Sequence, residues 1–308
     1  MFIDNIRRYR LPLPVEASVL TSWAYDLEIP RDKEVVMYTG GLYQLVPYIQ
    51  STVNYLEGLE GRKGVGLAVK IGKALRKVID FAKVIAKPSR DAVKRQMDIL
   101  KAIALALRKI NVDFGYLYEE EPYSGVLLHD LGMEDEFKKH AKLVVDLFKE
   151  RGVKKVITID PHSTYAFKHL YPKFLGATDF DVVNYIEILA KSDFKGRCED
   201  ISYVIHDPCI YARYENLIDE LRSIIEALNV KYVEPENSRE LTYCCGGPIE
   251  VLSPRLAKKV AERRVEELRR YGKRILVACP ICYANLKRAA GEELEIYDLS
   301  EIIARCLI

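Results

Sequence analysis

No stretch of 18 consecutive apolar residues occurs in the 308-residue sequence, and a helix crossing a bilayer needs about that length, so no membrane span is expected. A leader is not expected either. Met1-Phe2-Ile3-Asp4-Asn5 runs into Arg7, Arg8 and Arg10 without an apolar core, and a cytoplasmic location is the expectation. An excess of one charge is also missing: 47 Lys and Arg face 45 Asp and Glu, and a net charge of +2 excludes a strong pull toward nucleic acid. The strand Glu34–Tyr38 leads into Thr39-Gly40-Gly41, but the further glycines of a dinucleotide fingerprint and the Gly-Lys-Ser/Thr of a P-loop are lacking, which argues against nucleotide binding. Neither a ferredoxin-type Cys-x-x-Cys-x-x-Cys run nor a flavin fingerprint is present, so redox chemistry here would take its electrons from other subunits.

What the chain does hold is an apolar fraction of 49% beside a charged fraction of 30%, the balance of a globular protein. Its length suits two domains of about 150 residues each. Five of the seven cysteines fall in one pattern within the last hundred residues, as Cys209, the adjacent pair Cys244-Cys245, and Cys279-Pro280-Ile281-Cys282. Thiolates suit iron-sulfur clusters and zinc, and a Cys-x-x-Cys turn brings two sulfurs to one metal edge. Adjacent cysteines diverge. That favours two irons of one larger cluster over a single ion, and Gly246-Gly247 allows backbone and inorganic core to approach closely. Four thiolates would also suffice for tetrahedral zinc, which gives the alternative of a zinc-stabilised structural or membrane-anchoring subunit of a respiratory complex without redox activity, although zinc has no use for a fifth cysteine. Cys198 and Cys306 stand outside the pattern and read as small buried residues, since a reducing compartment favours metal ligation over disulfides.

This run of cysteines resembles the CCG cysteine-rich domain of the B-type and D-type chains of heterodisulfide reductase and their relatives in sulfur and hydroxyacid oxidation. The resemblance implies that Cys209, Cys244, Cys245, Cys279 and Cys282 hold one four-iron cluster, non-cubane in the best-understood members. It also implies an oxidoreductase subunit working with ferredoxin-type iron-sulfur and flavin subunits, on a sulfur-containing substrate or in electron transfer. In that family the domain usually occurs twice per chain.

A second copy is visible. Val156–Lys168 aligns without gaps against Ile275–Lys287, Pro122–Gly125 against Tyr243–Gly246, and Asp181–Ala190 against Glu295–Ala304, with Gly40-Gly41 in the place of Cys209. The ligand positions of the first copy hold Gly41, Tyr123, Ser124, Asp160 and Ser163, whose groups cannot replace thiolates, so that half is expected to carry no cluster. Asp160, His162 and His129 leave room for a small metal or proton-handling site there, although loop residues of these types more often simply hydrogen-bond. The expected fold is α/β: two pseudo-repeated CCG-type domains, each a mainly parallel sheet flanked by helices. They would follow an N-terminal segment 1–32, as a degenerate domain 33–195 with a helical insertion at about 64–109, and an intact domain 196–308.

Locally, the segment to Arg31 reads as irregular, pinned by Trp23 and Tyr25. A basic amphipathic helix is expected over Gly64–Lys87, its charged face suited to solvent, a partner or a peripheral membrane contact. A further helix should run to about Lys109, a strand over Val112–Leu117, and helices over Tyr214–Leu228 and Ser253–Tyr271. His206, three residues before Cys209, reads as a packed residue first and a hydrogen-bond or proton partner of the cluster second.

Overall fold

The computed structural model describes residues 2–59, 88–198 and 201–306. The basic helix expected at 64–87 lies outside the described residues. Among them, no helix is long and apolar enough to cross a membrane.

The chain forms two parallel sheets flanked by helices. The first contains β1 (Val35–Tyr38), β2 (Lys155–Thr158) and β3 (Asp181–Asn184) in the order β1-β2-β3. The second contains β4 (Ser202–Ile205), β5 (Lys231–Val233), β6 (Arg274–Val277) and β7 (Glu295–Asp298) in the order β5-β4-β6-β7. Each of β2, β4 and β6 opens on an exposed residue and then buries three in a row. Continuous burial of that kind marks strands covered on both faces.

Register relates the sheets. Val36 pairs with Val156 and Val156 with Val182, while Val204 pairs with Ile275 and Ile275 with Ile296. The gapless alignment matches Val156 to Ile275, so Val36 corresponds to Val204 and, five residues on, Gly41 to Cys209. The helix starts correspond as well. Asp160 caps the helix Pro161–Tyr165 by accepting from Ser163 N, as Cys279 Sγ caps Pro280–Ala290 by accepting from Cys282 N. Asn184 with Glu187, and Asp298 with Glu301, repeat one reciprocal cap after β3 and β7.

One apolar core joins the halves. Trp23, Tyr43, Ile103, Leu107 and Leu189 share it with Leu221, Leu276, Leu299 and Ile303. The helix Arg90–Lys109, capped by Ser89, supplies the stripe between them. At its start Arg95 pairs with Glu301 at 2.6 Å and stacks over the Tyr283 ring.

Four local expectations are corrected. Helices Phe2–Tyr9 and Ala17–Tyr25 replace the irregular N-terminal segment, because Pro12 and Pro14 fall in the linker rather than inside either helix. Trp23 is fully buried, whereas Tyr25 is 51% exposed and bonds Glu119 instead of anchoring the segment. Val112–Leu117 makes a single bridge, Gly115 to Val36, because Pro30 O takes the next amide, Tyr116 N–H. In place of one helix from Tyr214, a wide π-type turn, Tyr211–Glu215, ends at left-handed Asn216 (φ 53°), and the helix proper is Ile218–Ala227.

A further correction concerns Cys198 and Cys306, which are joined in a disulfide across 108 residues, Cα to Cα 4.7 Å. The terminal helix Leu299–Cys306 returns to the strand entry at Gly196, where a Cβ would meet Cys306 O at 2.6 Å. Only glycine permits that approach, and it brings the two thiols together.

Candidate metal centre

Parallel sheets present their ligand-bearing turns at the carboxyl ends of strands. Cys209 follows β4 and Cys279 follows β6, while Cys244-Cys245 stands in the loop after β5. Cys245, Cys279 and Cys282 are buried, and Cys209 and Cys244 half-buried.

A buried ion pair aligns the first two turns. Arg222 holds Asp207 through two bonds of 2.5 and 3.0 Å, and Asp207 also accepts from Arg239 N at 2.7 Å. Thr242 donates to Asp207 O at 2.9 Å, and Arg213 donates to the carbonyls of Glu240 and Thr242. The approach to Cys209 and the approach to Cys244 are thus tied at several points. Beyond the pair, Gly246 adopts φ +84°, and a Cβ there would stand 2.4 Å from Ala257 O, so the turn requires glycine.

The five sulfurs meet. Cys209 and Cys245 bond the Cys244 sulfur, with further support from Gly246 and Gly247 N–H, and these donors drive its thiol down to about 2. Cys279 is opposed by burial, but bonds from Cys282 and His162 bring it to about 5. Cys209, Cys245 and Cys282 shift upward, chiefly because they face those neighbouring sulfurs. The arrangement gathers negative charge on a few sulfurs while surrounding it with N–H groups, the setting that thiolate-held metals require.

Two histidines close the site. His206, Cys245 and Cys282 place their ligand-type atoms within 4.8 Å of one another, the one such group of three among the described residues. Yet Arg264 Nε–H donates to His206 Nδ1 at 3.0 Å. A neutral imidazole that accepts there carries its proton on Nε2. Burial and the Arg264 charge hold His206 well below the usual histidine range, so it stays neutral. Nε2 is buried and has no other partner. His206 thus keeps one ring nitrogen unpartnered in a site where two sulfurs lie within 4.8 Å of its ligand-type atom. Arg264 is fixed by Glu267 at 2.6 Å and by Asn237 O at 2.8 Å.

The second histidine comes from the half without cysteines. His162 is buried beside Cys279; burial lowers it, but the bond to that sulfur and the charge there outweigh burial and push it to about 9. Asp160 instead caps its own helix, and His129 lies 3.5 Å from Asp130 and packs on Phe137 and Phe174. The three do not assemble as a metal site. Arg264 and the Asp207–Arg222 pair escaped the sequence reading, although Arg264, at a core position of a helix that buries Ala257, Ala261 and Val265, is a charge on an apolar face.

Residues 203–287 match the cysteine-rich domain family CCG. The chain is 28% identical over 247 residues, 75% of its length, to the D-type chain of the dihydromethanophenazine:CoB--CoM heterodisulfide reductase of Methanosarcina barkeri, and covers 60% of that protein. It is 29% identical over 230 residues to the probable iron-sulfur-binding oxidoreductase FadF of Bacillus subtilis. Against the EtfAB:quinone oxidoreductase of Syntrophomonas wolfei it is 28% identical over 227 residues. These matches take in 70% and 67% of this chain, which spans about a third of either relative (32% in each case).

Proposed function

For a chain that carries a cysteine-rich CCG domain and is distantly related to the D-type chain of heterodisulfide reductase and to FadF-type iron-sulfur oxidoreductases, we infer an iron-sulfur redox subunit with one cluster in its second half. The residues that would hold it are Cys209, Cys244, Cys245, Cys279 and Cys282. The observation that carries this reading is the convergence of all five sulfurs beyond the strand ends, with His206 close to two of them and its Nε2 buried and unpartnered. A four-iron cluster bound there supplies one-electron transfer.

The chain's own residues do the rest. Cys244 and Cys279 offer charge, Gly246 and Gly247 N–H point at sulfur, His162 donates to Cys279 from the first half, and His206 would donate to the cluster from the second. In the first half, Gly41, Tyr123, Ser124, Asp160 and Ser163 stand at the corresponding positions, so a second cluster is not part of the proposal. The domain limits follow: 33–195 as scaffold and 196–308 as the cluster domain. Electrons would arrive from partner subunits of the ferredoxin-type iron-sulfur or flavin class, and contact with a membrane would be peripheral.

Iron, zinc and acid-labile sulfide on anaerobically purified protein, with EPR of both oxidation states, test the assignment. About four irons and four sulfides per chain are expected. Serine at Cys244 or Cys245 should lose or rearrange the cluster, while serine at Cys198 or Cys306 should leave iron unchanged. One zinc and no sulfide would instead identify a structural zinc protein.

A further inference from the structure

Burial is uneven around the five cysteines. Cys245, Cys279 and Cys282 lie inside, so the outer edge of the site is at Cys209 and Cys244. Against Cys244 lies a surface cavity of about 270 Å³, lined by Tyr243, Lys259, Val260 and Arg263. Its walls are one loop and one face of the helix Pro254–Leu268, on which Leu256, Lys259, Val260 and Arg263 follow at i, i+3, i+4 and i+7. Arg263 stacks over the Tyr243 ring at 5.0 Å, which holds the guanidinium beside the cysteine pair.

Charge sets this face apart. Neighbouring cations are paired, Arg239 with Asp219 at 2.9 Å, Lys258 with Glu57 at 2.9 Å and Arg269 with Glu266 at 2.6 Å. Lys259 and Arg263 are exposed and have no carboxylate partner among the described residues, and Glu262 lies one position off their stripe. Leucines accompany them: Leu256 is 47% exposed, and Leu241 and Leu252, in the segments before and after the cysteine pair, are 69% and 71% exposed. Apolar side chains in water beside uncompensated cations are the make-up of a docking surface. The cavity is also one-sided. No residue of the first half lines it among the described residues, so a small molecule would stay largely in water, whereas small-molecule sites bury most of their ligand. A convex protein surface fits, and the free positive charge requires that it carry carboxylates. Because Cys244 is a proposed ligand, a protein docked here lies against the outer edge of the cluster.

We propose that this face docks an acidic electron-carrier protein, whose Asp and Glu side chains meet Lys259 and Arg263 while Leu256 adds apolar contact beside Cys244. The inference rests on the redox reading for the carrier's chemistry; the charge and shape of the face stand without it. One electron crosses at the contact. The reduced carrier loses it, the oxidised cluster gains it, and no covalent bond forms or breaks.

Anaerobic stopped-flow reduction by flavodoxin hydroquinone, an acidic carrier, tests it, with iron and sulfide measured on the same samples. The bimolecular rate should fall at least tenfold as ionic strength rises to about 0.5 M, where exposed charges are largely screened. At low salt Lys259→Glu and Arg263→Glu should each slow it at least tenfold, while Lys142→Glu, the same change of charge on the helix Glu134–Glu150 of the first half, should not. Reduction by the photogenerated deazariboflavin radical, small and uncharged, should be equal in all of them. The pre-reduced double variant should pass electrons to ferricytochrome c, a basic carrier, faster than the parent does. Should Arg263→Glu disturb the Tyr243 loop, Lys259→Glu alone must show the effect. A flavodoxin rate independent of salt, or equal in parent and variants, overturns the proposal. Equal slowing with deazariboflavin also overturns it, since the two cations would then act on the cluster alone, and so does competition by lactate at constant ionic strength, which would mark a small-anion site. Protein that holds no cluster would sink the redox reading, and equilibrium binding of flavodoxin, weakened at least tenfold in Lys259→Glu or not, would then decide the docking face by itself.

Discussion

An imidazole that accepts at one nitrogen has only the other to give, and at His206 the accepting nitrogen is taken by Arg264. Hydrogen bonds to cluster sulfurs raise reduction potentials, so His206→Leu should keep its iron while the midpoint potential falls, and His206→Gln, which retains an N–H, should fall less. Redox titration with metal analysis checks this. Loss of iron in step with the imidazole would make His206 a ligand and sink the donor role. The five cysteines were legible in the sequence because their identity carries their chemistry. Arg264 was not, because its role depends on a partner 58 residues away that only the fold supplies.

At the level of elements, the strands and their helix starts followed from local patterns: buried triplets for β1, β2, β4 and β6, and caps at Ser89, Ser253 and Asn184. Misreadings gathered where a single backbone event decided the outcome, as at left-handed Asn216 or where Pro30 O intercepts Tyr116 N. The cap after β7 has a further property. Asp298 is buried and also accepts from Tyr43 of the first half at 3.0 Å, and burial pushes its carboxyl from 3.8 to about 7. The folded chain then keeps a proton that the unfolded chain releases, so this group's contribution falls as pH rises from about 4 through 7 and levels off above. Urea titrations of Asp298→Asn and parent at pH 5 and pH 8 should show the variant gaining on the parent by a few kcal/mol at the higher pH. A difference independent of pH would show that Asp298 is already charged in the fold.

For the molecule as a whole, the repeat could be read from the alignment and reappears in the register of the two sheets. The shared core and the Cys198–Cys306 bond could not, since both depend on contacts between residues about a hundred or more apart. A cross-link over so long a loop removes much of the unfolded chain's freedom, about 3–5 kcal/mol on chain-entropy reckoning. Cys198→Ser should therefore lower the melting temperature by several degrees while metal content stays the same. An unchanged melting temperature would mean that the two thiols stay reduced in the working protein.

That bond also alters the chain's connectivity. All five site cysteines lie between its two ends, so the second half is a closed covalent ring with the first half attached as a tail. A protease that cuts once between Cys198 and Cys306 opens the ring without releasing a piece. Nicked protein would run as one band on a denaturing gel without reductant and as two bands with it, and until the bond is reduced every thiolate stays tethered to the rest.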